Sequence, residues 1–286
     1  MKSFKNSIYF SSFLVMLSMI SVTSGASLAK ILFPLLGAEG TTVLRLGLGA
    51  VLLLFMWKPW KYTLNAFQFR TVVLYGLCLG LMNFMFYLAI SRIPLGIAIA
   101  IEFIGPLTVS LILSKKMIDL FWAFLAALGI ALILPLSSLQ QTLNPVGILF
   151  AAGAAAMWGL YIILGKKAGA IMPSGIATSL GVTAAFLFVT PFGAYEALRI
   201  FSNINLIPIA LAVGILSTAI PYSLEMIALK KMSPSHFGIF LSLEPAIGSL
   251  AGLIFLNEYL TVAQCAAVLC IMVASIGSTV ASGHKL

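Results

Sequence analysis

The chain has 286 residues, 62% of them hydrophobic and only 8% charged, with a formal net charge of +9 at pH 7. A soluble domain carries about 25% charged residues, so 16 basic and 7 acidic side chains cannot cover a water-exposed surface of this size. With a mean hydropathy of +1.14 the bilayer is the main solvent. Lipid admits only helices or closed barrels, and the continuous apolar runs here lack the alternation of barrel strands.

Ten apolar runs of spanning length fall near 9–29, 40–57, 69–90, 95–113, 118–136, 146–165, 174–194, 206–228, 235–256 and 260–281. The expected fold is therefore all-α, a polytopic membrane protein of ten transmembrane helices. The first run follows Lys2 and Lys5 and ends in small residues at Ser24, Gly25 and Ala26, much like a secretory signal. It reads instead as a span, because it completes a count of five per half. The second run holds Arg45. In the third, Gly76, Gly80, Asn83 and Tyr87 share one helical face. Ala98, Glu102 and Gly105 do so in the fourth run, and Ala154, Trp158, Tyr161 and Gly165 in the sixth. Thr218, Tyr222 and Glu225 form such a stripe in the eighth, and Phe237, Phe240, Glu244 and Gly248 in the ninth. The glycine pairs 76/80 and 248/252 have a commoner use, close helix packing. For Trp158, Tyr161 and Tyr222, interfacial anchoring or core packing competes with ligand contact. For Asn83 the competing role is a hydrogen bond between helices.

Charge placement sets the orientation. With the N-terminus inside, the cytoplasmic segments hold Lys2, Lys5, Lys58, Lys61, Arg70, Lys115, Lys116, Lys166, Lys167, Lys230, Lys231 and Lys285. The other side has only Lys30, Arg92 and Arg199. This is the positive-inside pattern, and it replaces a nucleic-acid reading of the basic charge. Both termini are expected in the cytoplasm, and the lack of any Asn-x-Ser/Thr glycosylation acceptor fits a bacterial inner membrane. Cys78, Cys265 and Cys270 all lie within the runs and point to no disulfide or metal site. The stretch Gly159–Lys167, GLYIILGKK, has the wrong spacing for a phosphate loop. His236 and His284 are the only histidines. No catalytic cluster, metal or cofactor is expected, and transport would draw on an ion or solute gradient.

The costliest residues carry the functional reading. A carboxylate in hydrocarbon costs roughly 2.5–3.5 kcal/mol even on mild scales, and such residues usually face a cavity. Glu102 precedes Pro106, Glu244 precedes Pro245, and thirteen residues beyond each proline stand Asp119 and Glu258. The chain therefore reads as a duplication, residues 1–143 and 144–286. Five spans per half invert the second repeat, which places a site between the halves near the midplane. Glu102 and Glu244 are the candidates for binding an ammonium group or carrying a proton. Arg45 is the candidate partner of a substrate carboxylate, with Asn83, Tyr87, Trp158, Tyr161 and Tyr222 shaping the cavity. Glu225, five residues before Lys230, either joins the site or pairs at the interface. Lys30 is expected to snorkel.

These residues also carry a resemblance. GASLAK at 25–30, LR at 44–45, PLGIAIAIEFIGPL at 94–107, LSTAIPYSLEMIAL at 216–229 and EPAIGSLAGLIFLNE at 244–258 resemble the drug/metabolite transporter superfamily, EamA type. The first four resemble its amino-acid-exporting branch. Trp158-Gly159 resembles the family's sixth-span motif, whereas the first span has Ser24-Gly25 in place of the equivalent tryptophan. The resemblance implies secondary active export of threonine- or homoserine-like amino acids, coupled to protons, by a monomer or homodimer. A multidrug or other metabolite carrier on the same fold is the alternative. A non-transport scaffold or lipid-modifying enzyme is another.

The topology is checked by alkaline phosphatase fusions. Activity is expected from a fusion within residues 137–144 and none from one after Lys285; high activity at the C-terminus overturns the inverted repeat.

Overall fold

The computed structural model describes residues 8–113, 118–133, 143–229, 241 and 243–283. The expectations on Lys2, Lys5, Lys115, Lys116, Lys230, Lys231, His236, Phe237, Phe240, His284 and Lys285, and on the side chain of Asp119, lie outside the described residues. Among the described residues every regular element is helical, as apolar segments must be to satisfy their own backbone in lipid.

The first helical segment, Ile8–Trp57, runs for 50 residues. Straight, it would be about 75 Å long, more than twice a hydrocarbon core of about 30 Å. It breaks at Gly37 (φ 64°, ψ 178°), a backbone region essentially closed to residues with a Cβ. The break divides it into α1 (8–36) and α2 (38–57). Thr23 of α1 and Arg45 of α2 line one cavity, so the chain folds back at Gly37. The expected loop between the first two runs is thus a single-residue kink, with Thr41 and Thr42 hydroxyls bonded to the Gly37 and Ala38 carbonyls.

Helix α3 (Ala66–Ile90) opens on a capping box between Asn65 and Gln68. Helix α4 has two parts, Leu95–Glu102 and Ile104–Leu113, separated at Phe103. Then come α5 (Ile118–Ile133), α6 (Pro145–Ile171, capped by Asn144) and α7 (Ser174–Leu198). Helix α8 comprises Ile207–Gly214, a π-helical turn at Ile215–Ala219 and Ile220–Leu229. Helices α9 (Glu244–Leu256) and α10 (Val262–Gly283) complete the described chain. Five helical stretches, Phe10–Trp57, Ala66–Ile90, Pro145–Ile171, Ser174–Ser202 and Ile204–Glu225, are long and apolar enough to cross a membrane, and three shorter ones are also apolar.

The main helix contacts pair α1 and α2 with α8, α2 with α7, α3 with α6 and α7, α4 with α6 and α9, and α5 with α10. Small residues set these distances, as expected where lipid supplies no hydrophobic drive between helices. A Cβ on Gly25 of α1 would lie 2.8 Å from both Cβ and N of Ser217 in the π turn. Ser21 donates to the Leu216 carbonyl at 2.6 Å, and Ser18 reaches that of Pro221 at 3.3 Å. Pro221 has no N–H to give its preceding turn, and the π turn with these serine contacts absorbs the mismatch. It also breaks the helical phase: Thr218, expected on the stripe of Tyr222 and Glu225, instead packs against Gly49 of α2.

Helix α4 approaches α6 so closely that a Cβ on Gly105 would fall on the Ala155 carbonyl. Gly105→Ala is therefore expected to lower the melting midpoint of the purified protein, by an overpacking cost of about 1–3 kcal/mol. Gly153→Ala, which meets only the flexible end of Met85, should be much milder; equal midpoints for both variants would contradict the packing described.

Candidate functional site

A cavity of about 60 Å³ lies among α1, α2, α3, α4, α6, α8 and α9. Its charged residues are Arg45, Glu102, Glu225 and Glu244, and Asn83, Trp158, Tyr161 and Tyr222 complete its polar and aromatic lining. Eight of the nine residues expected at the site thus meet in one place, although they come from six helices.

Arg45 is the best-fixed member. It is only 2% exposed. Its Nη1 donates to the Tyr87 hydroxyl at 3.0 Å, and its Nη2 to Asn83 Oδ1. The guanidinium carbon also lies 4.7 Å from the Tyr87 ring centre. Tyr87, the ninth expected residue, does not reach the cavity: it stands behind Arg45, fully buried, and holds it in place. Asn83 is itself held, since its Nδ2 donates to the Leu79 carbonyl at 2.7 Å and to the Tyr222 hydroxyl at 2.9 Å. The i+4 spacing of Asn83 and Tyr87 puts both on the face of α3 that Arg45 meets. Guanidinium has five N–H donors, and Arg45 Nε, although buried, has no hydrogen-bond partner. An unmet buried donor costs about 1–3 kcal/mol, so the site has unspent capacity for an acceptor such as a carboxylate.

The three carboxylates approach from different elements. Glu102 ends the first part of α4 and is buried. Glu244 stands in the first turn of α9 beside Pro245, where a negative charge favours the helix dipole. Glu225 lines the cavity and accepts a hydrogen bond from Ser18 at 2.9 Å. One basic side chain among the described residues therefore shares the cavity with three acidic ones. Two aromatic groups back the cavity: Tyr75 stacks on Tyr161 at 5.2 Å between ring centres with Tyr222 6.4 Å from Tyr161, and Trp158 meets Phe103 edge-on at 5.5 Å.

Sequence reading missed the contribution of α1. Val22, Thr23 and Ala26 line the cavity, and Ser18 positions Glu225. The spacing of Ser18, Ser21 and Gly25, i, i+3 and i+7, was the available signal. Lys30 was expected to snorkel; instead it pairs with Glu258, whose other oxygen accepts from the Leu95 N–H at 2.7 Å. That carboxylate closes one end of the molecule by joining α1 to the start of α4.

Apolar helices enclosing a small cavity with four ionisable side chains fit a membrane-embedded transporter, and the family to which the chain belongs is one of transporters. The chain belongs to the EamA-like transporter family, whose model matches residues 145–280. It is 45% identical to the threonine/homoserine exporter RhtA of Salmonella typhimurium over 265 residues, 93% of this chain and 90% of the relative. The protein of the same name from Escherichia coli K12 is 45% identical over 267 residues, with the same coverage. A solved crystal structure, 16% identical, aligns over 97% of this chain and 99% of its own with a TM-score of 0.63; at that identity the likeness concerns the fold alone.

Asn83→Leu removes the acceptor of Arg45 Nη2 while keeping the volume. It should destabilise the protein by about 1.5–3 kcal/mol, the usual contribution of a hydrogen bond to a charged group. Thermal unfolding in detergent checks this, and an unchanged midpoint would show that Arg45 does not depend on Asn83.

Proposed function

We propose that this chain exports small amino acids of the threonine/homoserine type across a bacterial inner membrane, in exchange for protons. The observation that carries the reading is one buried arginine with an unmet donor facing three carboxylates. A zwitterion fits that arrangement: its carboxylate meets Arg45 and its ammonium group meets Glu102 or Glu244. The 45% identity to exporters of threonine and homoserine supports the substrate class.

The excess of acidic groups supports proton coupling. A zwitterion brings no net charge, so it cannot balance three carboxylates against one guanidinium. Protons can. Asn83, Tyr87, Trp158, Tyr161 and Tyr222 would orient the substrate, directly or through Arg45.

The mechanism we infer is alternating access by two inverted five-helix halves, 1–143 and 144–286, with ten crossings and both termini cytoplasmic. The helix contacts support it. Exchanging each helix with the one five places later maps α2–α7, α4–α9 and α5–α10 onto themselves, α1–α8 onto α6–α3, and α2–α8 onto α7–α3. Such a pattern is what a twofold axis in the membrane plane produces.

Reconstituted vesicles test the function. Labelled threonine or homoserine should exchange across the membrane and accumulate under a pH gradient. Glu102→Gln and Glu244→Gln keep shape and remove the titratable charge. Because the two glutamates stand four residues and one residue before their prolines, they are not strict repeat equivalents, and different outcomes are expected. One variant should keep exchange and lose pH-driven accumulation; the other should weaken exchange itself, by about 1.5–3 kcal/mol for a hydrogen bond to a charged group. Wild-type rates and pH dependence in both would remove the carboxylates from the site.

A further inference from the structure

Apart from the central cavity, a groove of about 560 Å³ lies where α2 ends and α7 begins. The turn leaving α2 supplies Lys58 and Lys61, and the start of α7 supplies Ser174, Gly175 and Ile176. Neither lysine makes an ion pair or side-chain hydrogen bond with a described residue, and no lining residue is acidic. Lys58 adopts a left-handed backbone (φ 46°, ψ 56°) ahead of Pro59, which is uncommon for a residue with a Cβ and turns the chain sharply at the rim.

The floor of the groove offers hydrogen-bond donors. Helix α7 has 25 residues and begins after Pro173, which provides no side-chain cap. The first N–H that finds a carbonyl is that of Ala177, bonded to Pro173 O at 3.0 Å. The N–H groups of Ser174, Gly175 and Ile176 precede it and have no acceptor within the helix. The Ser174 hydroxyl is an independent sign of a missing partner: the residue is 7% exposed, lines the groove, and its Oγ has no hydrogen bond. Uncapped amides at a helix N-terminus with the helix dipole behind them bind anions, phosphate above all.

The rest of the lining is apolar. Trp57 packs its ring on Gly175, where any Cβ would clash, and Ile176 and Ile227 extend the wall. The polar rim is fixed rather than loose. Gln68, half of the α3 capping box, donates from Nε2 to the Tyr62 hydroxyl at 3.2 Å and to the Ile171 carbonyl at 2.8 Å. Trp57 and Trp60 are exposed beside it, as aromatic residues are at the headgroup level of a bilayer. Among the described residues, two lysines without a partner, an uncapped helix N-terminus and an apolar wall together match an amphiphile with an anionic head. Basic pockets between membrane helices bind lipid headgroups by this chemistry. We infer that this groove binds an anionic phospholipid, with its phosphate on the α7 N-terminus, Ser174, Lys58 and Lys61, and its acyl chains along Trp57 and Ile227.

Native mass spectrometry of the full chain, released from detergent with phosphatidylglycerol or phosphatidylcholine, tests it. One phosphatidylglycerol should be retained in preference to phosphatidylcholine. Lys58→Gln with Lys61→Gln should cut that retention at least about tenfold, as two lysines at a membrane surface imply. Lys58→Arg with Lys61→Arg should preserve it, which separates loss of charge from misfolding, and Ser174→Ala should lower it. Millimolar inorganic phosphate should not displace the lipid. Equal retention by the glutamine variant, or no preference for the anionic lipid, overturns the site. Displacement by inorganic phosphate overturns the lipid and leaves a site for a soluble phosphate.

Discussion

A guanidinium out of reach of water, in a protein that itself lies in hydrocarbon, is the constraint around which the helices are arranged. Taking such an ion out of water costs several kcal/mol even after relaxation, and Arg45 recovers that only through fixed partners. Asn83 and Tyr87 provide two, one helical turn apart on α3. Glu102, Glu225 and Glu244 line the same cavity from α4, α8 and α9. These helices reach it only because small residues let neighbouring backbones nearly touch, Gly49 against Thr218 and Gly96 against Ser249 among them. The charge, its partners and the glycine contacts are one system: loosen the packing and the guanidinium loses its dielectric surroundings.

Three backbone interruptions shape the helices that line this centre. Gly37 reverses the first segment so that α1 and α2 both face the cavity. Phe103 divides α4 immediately after Glu102, and the π turn of α8 ends just before Tyr222 and Glu225. Irregular helix is tolerated in a membrane where it is buried in protein or lines a cavity, and π turns gather at functional positions. The serines of α1 serve the same end, since Ser18 and Ser21 occupy carbonyls or carboxylate oxygens that the irregular α8 presents. At one end of the molecule Glu258 joins Lys30 to the first N–H of α4, so the segment bearing Glu102 is anchored from both halves of the sequence.

Much of this was legible in the chain, and the rest was not for physical reasons. Apolar length fixes helices, and the cost of burying charge picks out Arg45, Glu102 and Glu244, because both signals are local. The face carrying Asn83 and Tyr87 follows from helical period alone. What local patterns cannot report is who meets whom. Tyr87 carries the same spacing signal as Asn83, yet the cavity stops at Arg45 in front of it. Ser18 and Glu225 are 207 residues apart, and nothing in either neighbourhood names the other. Lys30 looked like a snorkelling lysine because its partner, Glu258, lies at the far end of the chain. Thr218 was misplaced for a different reason: a π turn shifts the helical phase, so a stripe extrapolated at 3.6 residues per turn fails on its far side.

The central claim is that Arg45 receives the substrate carboxylate, and it is tested by pairing a change in the protein with a change in the substrate. In proteoliposomes, exchange of threonine is compared with that of threoninol, which lacks the carboxylate, in wild type and in Arg45→Gln. Wild type is expected to prefer threonine and Arg45→Gln to abolish the preference, giving a coupling energy of about 1.5–3 kcal/mol for the lost charged hydrogen bonds. An Arg45→Gln variant that slows both solutes equally and keeps the preference would contradict it, leaving Arg45 a structural charge and the carboxylate bound elsewhere.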